Sequence, residues 1–516
     1  MKKDRDKAIF GDFQTPLDLA REVTSFVRSE EPDVSTVVEP TCGTGSFLQA
    51  SLEVFGIEAK HFGFDINPDY VERARKSTGS VKGASTRIQC EDFYTVDWRS
   101  FFSGLPPRIL VLGNPPWVTN AALGLMGGNN LPEKTNFQRY GGFAAKTGKA
   151  NFDISEWMLI KLLEALQGVS SIVAMLCKTA TARKVLRHAW LNGLDVGPSS
   201  IHMIDAAAHF DVSVDACLFF THTGSDKAEA TATIYPNISF KRPIRTLGLF
   251  GGDLVSDIDV YRQLREIDGI EYRKWRSGVK HDAARVMEFT REGEAFVNGL
   301  KEAYHLESDC LYPLLKSSNL ATGRLAPSKF VLLTQQRVSD DTEHLRTLAP
   351  RTWSYLLEHA DQLDGRRSSI YAKRARFSVF GIGAYTFAPW KVAISGLYKN
   401  LAFQAVGLHE GKPIVVDDTC YFIPCESEEE AIFFADLLNS DVAQRFISSL
   451  VFSDAKRPIT IDVLKRIDLK KLAEHLGKEE KAIHYLSSPA LESSHQRLLV
   501  FEKGEKYRTK ESTRRR

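Results

Sequence analysis

Four consecutive residues, Asn114, Pro115, Pro116 and Trp117, follow an apolar run at 109–113 and carry an unusual set of groups. An exocyclic amine on an aromatic ring is a poor nucleophile, because its lone pair is delocalised into the ring. Two acceptors placed on its hydrogens draw the nitrogen towards tetrahedral geometry and free that pair. The Asn114 side-chain oxygen supplies one acceptor and the Pro115 carbonyl the other. The two prolines fix φ and hold that carbonyl rigidly, and the Trp117 ring offers a π face for a planar partner. Taken alone, the stretch also reads as a strand ended by prolines, which cannot donate to a sheet ladder.

Upstream, acids recur where apolar runs stop. "VVEPTCGTGSFL" (37–48) ends a run in Glu39-Pro40, then turns through Gly43 and Gly45 into a helix near Ser46. It does not have the G-x-G-x-x-G spacing of a dinucleotide loop, since Phe47 and Leu48 follow Gly45. Glu39 would repel a phosphate and suits a ligand bearing an ammonium or sulfonium group. The next run ends in Asp65, where a carboxylate can accept two ribose hydroxyls. The third ends in Glu91-Asp92-Phe93, where an acid can accept an adenine amine while a phenyl ring stacks. Each acid alone is a cap or a solvated charge. Three at successive run ends point to one ligand.

The elements that must position these groups are legible. Short β-rich runs at 35–39, 61–65, 86–92, 108–114, 170–176, 201–205 and 216–222 alternate with amphipathic segments. That rhythm predicts an α/β fold with a doubly wound, mostly parallel sheet, with ligands beyond the carboxyl ends of its strands. A helix is expected at 152–167, with Ile154, Trp157, Met158, Leu162 and Leu166 on its packing face. Segment 118–151, rich in Gly and Asn, reads as a long functional loop. Its Lys134, Arg139, Lys146 and Lys149 could face a polyanion. The rhythm fades after 235. We expect a catalytic domain at 1–235, a partly helical connector at 236–300, an α+β recognition domain at 301–495 and a basic tail at 496–516.

Bulk properties fit this layout. The chain has 516 residues, 43% hydrophobic and 26% charged. Its net charge of +2 is unevenly spread: residues 1–240 hold 24 Lys and Arg against 27 Asp and Glu, and residues 241–516 hold 43 against 38. A polyanion partner for the second half is permitted, not demanded. No apolar run approaches the ~18 residues of a membrane span, and the N-terminus has no secretory apolar core. The seven cysteines form no C-x-x-C pair, so no metal site is expected. An odd, scattered cysteine count fits a reducing cytoplasm.

Taken together, Glu39-Pro40-x-Cys42-Gly43-x-Gly45, Asp65, Asp92-Phe93 and Asn114-Pro115-Pro116-Trp117 resemble the motifs of amino-methylating DNA methyltransferases that use S-adenosyl-L-methionine. "FGDFQTPLDLA" (10–20) is similar to that family's N-terminal motif, with Phe13, Thr15 and Pro16 closing over the methionine end of the cofactor. The motif order is that of the gamma group of N6-adenine methylases. "LYPLLKSSNL", "DDTCYFI" and "DAKRPIT" resemble, more loosely, recognition domains of the TaqI/Eco57I-like branch. The resemblance implies cofactor contacts at Thr15, Glu39, Pro40, Cys42, Gly43, Gly45, Asp65, Ile66, Asp92, Phe93 and Asn114. It implies catalysis by Asn114, Pro115, Pro116 and Trp117, on an adenine flipped out of duplex DNA and stacked by Trp117 and Phe210. Phe210 is expected in a short loop between two strands.

Phosphate contacts are expected in the basic stretches 273–285, 366–376 and 456–466, near Trp275, Tyr371 and Phe452. The candidates are Arg276, Lys280, Arg367, Lys373, Arg374, Lys456 and Arg457, with Lys149 from the loop. Any one such run is equally well a solvated face. Other readings stay open: transfer to N4 of cytosine or to a protein glutamine amide, or a catalytically idle DNA-recognition subunit. No nuclease cluster is evident. A restriction-modification or related defence setting, with a separate cognate endonuclease, is what the resemblance implies.

Overall fold

A computed structural model describes residues 13–79, 85–118, 153–224, 229–372, 374–452, 454–455 and 457–487. The chain divides into two compact units, Met1–Asp259 and Val260–Arg516. No helix among the described residues is long and apolar enough to cross a membrane.

The first unit is built on a ten-stranded sheet: β1 (Thr36–Glu39), β2 (Lys60–Asp65), β3 (Thr86–Cys90), β4 (Ile109–Gly113), β5 (Ser171–Lys178), β6 (Ser199–Ile204), β7 (Ala216–Thr223), β8 (Thr231–Tyr235), β9 (Arg245–Phe250) and β10 (Asp253–Val255). The strand order is β10-β9-β8-β6-β7-β5-β4-β1-β2-β3. Strands β3, β2, β1, β4 and β5 run parallel. β7 inserts antiparallel between β5 and β6. The chain winds outward from β1 to β3 and then returns to the other side of β1 as β4. The topological switch point therefore lies between β1 and β4, where open α/β sheets bind ligands.

Every residue of β1 and β4 is buried, as central parallel strands covered on both faces must be. Alternation sorts them between two cores. Val37, Leu110 and Leu112 pack on one face with α1 (Leu17–Glu30) and α2 (Ser46–Phe55). Val38, Ile109 and Val111 pack on the other, where α4 (Trp98–Ser103), α5 (Ile154–Ala165) and α6 (Thr179–Leu191) lie. α3 (Pro68–Thr78) follows β2 and is capped by the Asn67 side chain. In α5, Ile154, Met158 and Leu162 are buried, as is Leu166 just beyond its end, and Trp157 is only partly so. Leu159, Ile160 and Leu163 are buried as well. The helix is enclosed on more than one side, so the single packing face expected for 152–167 understates its burial.

Two other expectations meet a different arrangement. Residues 236–300 do not form one connector. β9 and β10 extend the first sheet by antiparallel pairing, while strands Glu288–Glu292 and Ala295–Asn298 pair within the second unit. Phe210 does not lie in a loop. It ends the short helix α7 (Ala206–Phe210), capped by Asp205, whose carboxylate accepts the Ala208 N–H at 3.0 Å.

The second unit is α+β. A six-stranded sheet includes the antiparallel pair Leu311–Leu315 and Lys329–Leu332, with Val415–Val416 added parallel at one edge. A four-stranded sheet centres on Trp390–Ser395 and Cys420–Cys425. Helices Glu428–Leu438 and Asp441–Leu450 follow.

Candidate active site at the carboxyl ends of β1, β2 and β4

Glu39 and Asn114 stand at the ends of neighbouring parallel strands. Glu39 is 3% exposed. Its Oε2 accepts the Leu48 N–H at 3.2 Å in the first turn of α2. Burial pushes this carboxyl well above the usual glutamate range, against the smaller effect of that hydrogen bond. Such an acid is poised to take up a cationic partner.

The turn between β1 and α2 depends on glycine. Gly45 has φ +90°, and a Cβ there would lie 2.9 Å from the Ala74 Cβ. At Gly43 the loop meets Gln14, whose Oε1 accepts from the Thr44 N–H and the Thr44 hydroxyl, each at 3.0 Å. A Cβ on Gly43 would come within 2.6 Å of that oxygen. Asp65 ties the loop to β2. Its Oδ2 accepts the Gly43 N–H at 2.9 Å and its Oδ1 the Asn67 N–H at 2.8 Å. A carboxylate oxygen has two lone pairs, so these bonds orient Asp65 without exhausting its capacity for hydroxyls. Ile66, the next residue, is 57% exposed, an apolar surface of the kind a purine ring covers. At the end of β3, Asp92 Oδ1 accepts the Tyr94 N–H at 3.0 Å. Phe93 is buried and packs with Trp98 and Trp157. Pro40 and Cys42 are buried in the turn, and burial raises the Cys42 thiol pKa, which leaves it a neutral wall.

Asn114 is held by its amide nitrogen, which donates to the Phe13 carbonyl and to Thr15 Oγ1, both at 3.2 Å. Its Oδ1 is buried with no hydrogen-bond partner among the described residues, as is the Thr41 hydroxyl. Phe13, Thr15, Glu39, Thr41, Gly43 and Asn114 line one pocket. Pro115 is buried and Pro116 half-buried. Trp117 is 5% exposed, and its ring meets Phe210 edge-on at 5.1 Å and Phe13 at 6.0 Å. Trp117 and Phe210 thus touch directly, with no room between them for a base. The two rings expected to flank a target base are packed against each other.

Motif spacing pointed to Thr15, Glu39, Asp65 and Asn114, and the fold gathers them. Gln14 and Thr41 were missed. Their only sequence signal is position, each beside a motif residue. The basic candidates other than Lys149 lie in the second unit and fare unevenly. Lys280 bridges Asp282 at 3.1 Å and Asp418 at 3.6 Å, and Arg457 meets Asp418 at 3.5 Å. Arg276 is half-buried over the Tyr385 ring. Arg367 and Arg374 are exposed. Trp275 is a core residue, 5% exposed, and the Tyr371 hydroxyl donates to the Lys280 carbonyl. Lys149, Lys373 and Lys456, with most of the 118–151 loop, lie outside the described residues.

A buried acid at the glycine turn, a carboxylate at the second strand end and orphaned acceptors at the switch point fit S-adenosyl-L-methionine. The fold and this site define a class I S-adenosylmethionine-dependent methyltransferase. No family model matches the chain. It is 42% identical over 473 residues to the type II methyltransferase M.NspV of Nostoc sp. (strain ATCC 29411 / PCC 7524), covering 91% of this chain and 98% of that protein. The chain belongs to the type II methyltransferases. A shorter match, 33% over 118 residues, is to the type II methyltransferase M.CvrRI of Paramecium bursaria Chlorella virus XZ-6E, covering 23% of this chain and 27% of that one. Among solved structures, the type IIL restriction-modification enzyme MmeI in complex with DNA superposes over 92% of this chain and 75% of its own, with TM-score 0.48 and 13% identity.

Proposed function

We propose that the protein is a DNA methyltransferase of the restriction-modification type that methylates N6 of an adenine flipped out of duplex DNA. Asn114 carries this reading: its Oδ1 is a buried acceptor without a partner among the described residues, and the bonds from its nitrogen to Phe13 and Thr15 keep that oxygen turned away from them. A buried acceptor left unpaired costs about 1–3 kcal/mol, a cost recovered when an amine hydrogen arrives. The Pro115 carbonyl takes the second hydrogen, and the flanking prolines prevent it from turning away. Bound S-adenosyl-L-methionine supplies the methyl group on its sulfonium. Glu39 holds the ammonium end of that cofactor, Asp65 its ribose hydroxyls and Asp92 its adenine amine, with Ile66 and Phe93 beside the ring. Thr15 and Phe13 close over it.

The target base enters when Phe210 separates from Trp117. A flipped base exchanges the lost ring contact for stacking on Trp117. The relation to M.NspV along nearly its whole length supports a nucleic-acid role for both units, with exposed Arg367 and Arg374 contacting phosphates. The setting we infer is cytoplasmic, beside a cognate endonuclease. Tritiated-methyl transfer to duplex DNA, followed by nucleoside digestion, tests the reading. N6-methyladenine is expected. Label in cytosine, or in protein only, overturns it.

A further inference from the structure

Lys178 closes a strand that is otherwise wholly buried, "SIVAMLCK". A lysine is rarely placed at such a position without a partner. β4 pairs with β5 only as far as Gly113 opposite Met175. Beyond that, Pro115 and Pro116 have no N–H to continue the ladder, so the Asn-Pro-Pro-Trp segment must be held some other way. The Lys178 ammonium donates to the Trp117 carbonyl at 2.9 Å and pairs with Asp153 Oδ2 at 2.6 Å. The Lys178 side chain is 26% exposed and that of Asp153 only 8%, so water competes weakly for either bond. Asp153 is itself fixed as the N-cap of α5, accepting the Ser155 N–H at 3.1 Å and the Ser155 hydroxyl. One residue on, the Ile154 N–H donates to the Val118 carbonyl at 2.8 Å. The two carbonyls that follow the diproline are therefore both tied down, one by a charged side chain and one by the start of a helix.

We propose that Lys178, anchored by Asp153, is a positioning residue for methyl transfer. It replaces the ladder bonds that the prolines cannot make and so holds the Pro115 carbonyl and the Trp117 ring in the geometry the target amine requires. The inference rests on the reading of residues 114–117 as the amine-holding segment.

The test compares wild type, Lys178→Met, Lys178→Arg and Asp153→Asn in single-turnover transfer from S-adenosylmethionine to duplex DNA. Cofactor and DNA affinities are measured separately, and hydrogen exchange is followed at the Trp117 and Val118 amides. Lys178→Met should lower the transfer rate about ten- to a hundredfold, the scale of a misplacement near 1 Å, with both affinities retained. Exchange at the two amides should quicken. Lys178→Arg, which keeps a cationic donor, should recover most of the rate, and Asp153→Asn should fall between. Wild-type transfer by Lys178→Met, or loss of rate and both affinities in parallel, overturns the proposal. If wild type methylates no base in duplex DNA, the target reading fails instead. The clamp then stands or falls on whether exchange at Trp117 and Val118 quickens in Lys178→Met and returns in Lys178→Arg.

Discussion

The amide of Asn114 and the hydroxyl of Thr15 meet at 3.2 Å, with the nitrogen of Asn114 as donor. Ninety-nine positions separate the two residues, yet this bond, with its companion to the Phe13 carbonyl, fixes which end of the amide is bonded and which is left to the pocket. Thr15 is 9% exposed, so the bond is largely shielded from solvent.

Removing the acceptor should therefore act on the rate. Thr15→Val keeps the shape and deletes the hydroxyl's acceptor. It should lower kcat for methyl transfer about fivefold, the worth of one hydrogen bond of ~1 kcal/mol, and Thr15→Ser should restore it. Asn114→Ala should abolish transfer while cofactor binding, read by calorimetric titration, largely persists. Equal loss of binding and transfer in Asn114→Ala would count against its role as the amine acceptor.

Asp65 should behave in the opposite way. Its carboxylate holds the Gly43 and Asn67 amides, so Asp65→Ala should loosen the glycine turn and weaken cofactor binding first. A loss of about 1–3 kcal/mol is expected, visible as a raised KM for S-adenosylmethionine with kcat at saturation much less affected.

Glu39 makes stability depend on pH in a direction opposite to most carboxylates. Burial raises its folded-state pKa well above the usual range, so the folded state holds the proton more tightly than the unfolded chain. The associated stability is fully present below the unfolded value of roughly 4.3 and is lost as pH rises through the raised folded value. In the cofactor-free protein, Glu39→Gln should remove this loss. Its melting temperature should fall less than that of wild type between about pH 5 and about pH 9. The same variant should bind S-adenosylmethionine more weakly, because the neutral amide no longer attracts the cofactor's positive end. Parallel melting curves for the two proteins across pH would refute the assignment.

Exposed Arg367 and Arg374 should each lower DNA affinity when changed to Ala, without altering sequence preference. Each should reduce the slope of log affinity against log salt by about one. Lys280→Ala should change that slope less, since Asp282 and Asp418 already partner its ammonium. A slope unchanged in the Arg367 and Arg374 variants would remove them from the interface.

The parallel sheet was legible because its strands are short apolar runs, each ended by a residue of distinct chemistry. Asp65, Glu39 and Asn114 could be placed at strand ends from local pattern alone. The outlying strands β9 and β10 were not legible, since "RTLGLF" and "DLV" are short and their pairing depends on what lies beside them. Phe210 was expected in a loop because five residues, "AAAHF", are too few for helical periodicity to show. Lys280 and Arg457 read as free basic groups because their acid, Asp418, lies far along the chain from Lys280.

The residue types set the local chemistry at 113–118 before any folding. Two prolines end the strand and stiffen its carbonyl, and Gly43 and Gly45 permit a turn that larger residues would strain. The sequence by itself thus determined which groups stand at the ends of β1, β2 and β4. Only the tertiary structure decided how they point. Thr15 and Phe13 orient the Asn114 amide, Lys178 reaches the Trp117 carbonyl, and Phe210 closes on the Trp117 ring. Those partners meet because sheet order and helix packing bring distant segments together, and hydrogen bonds and ring contacts act only over a few ångströms.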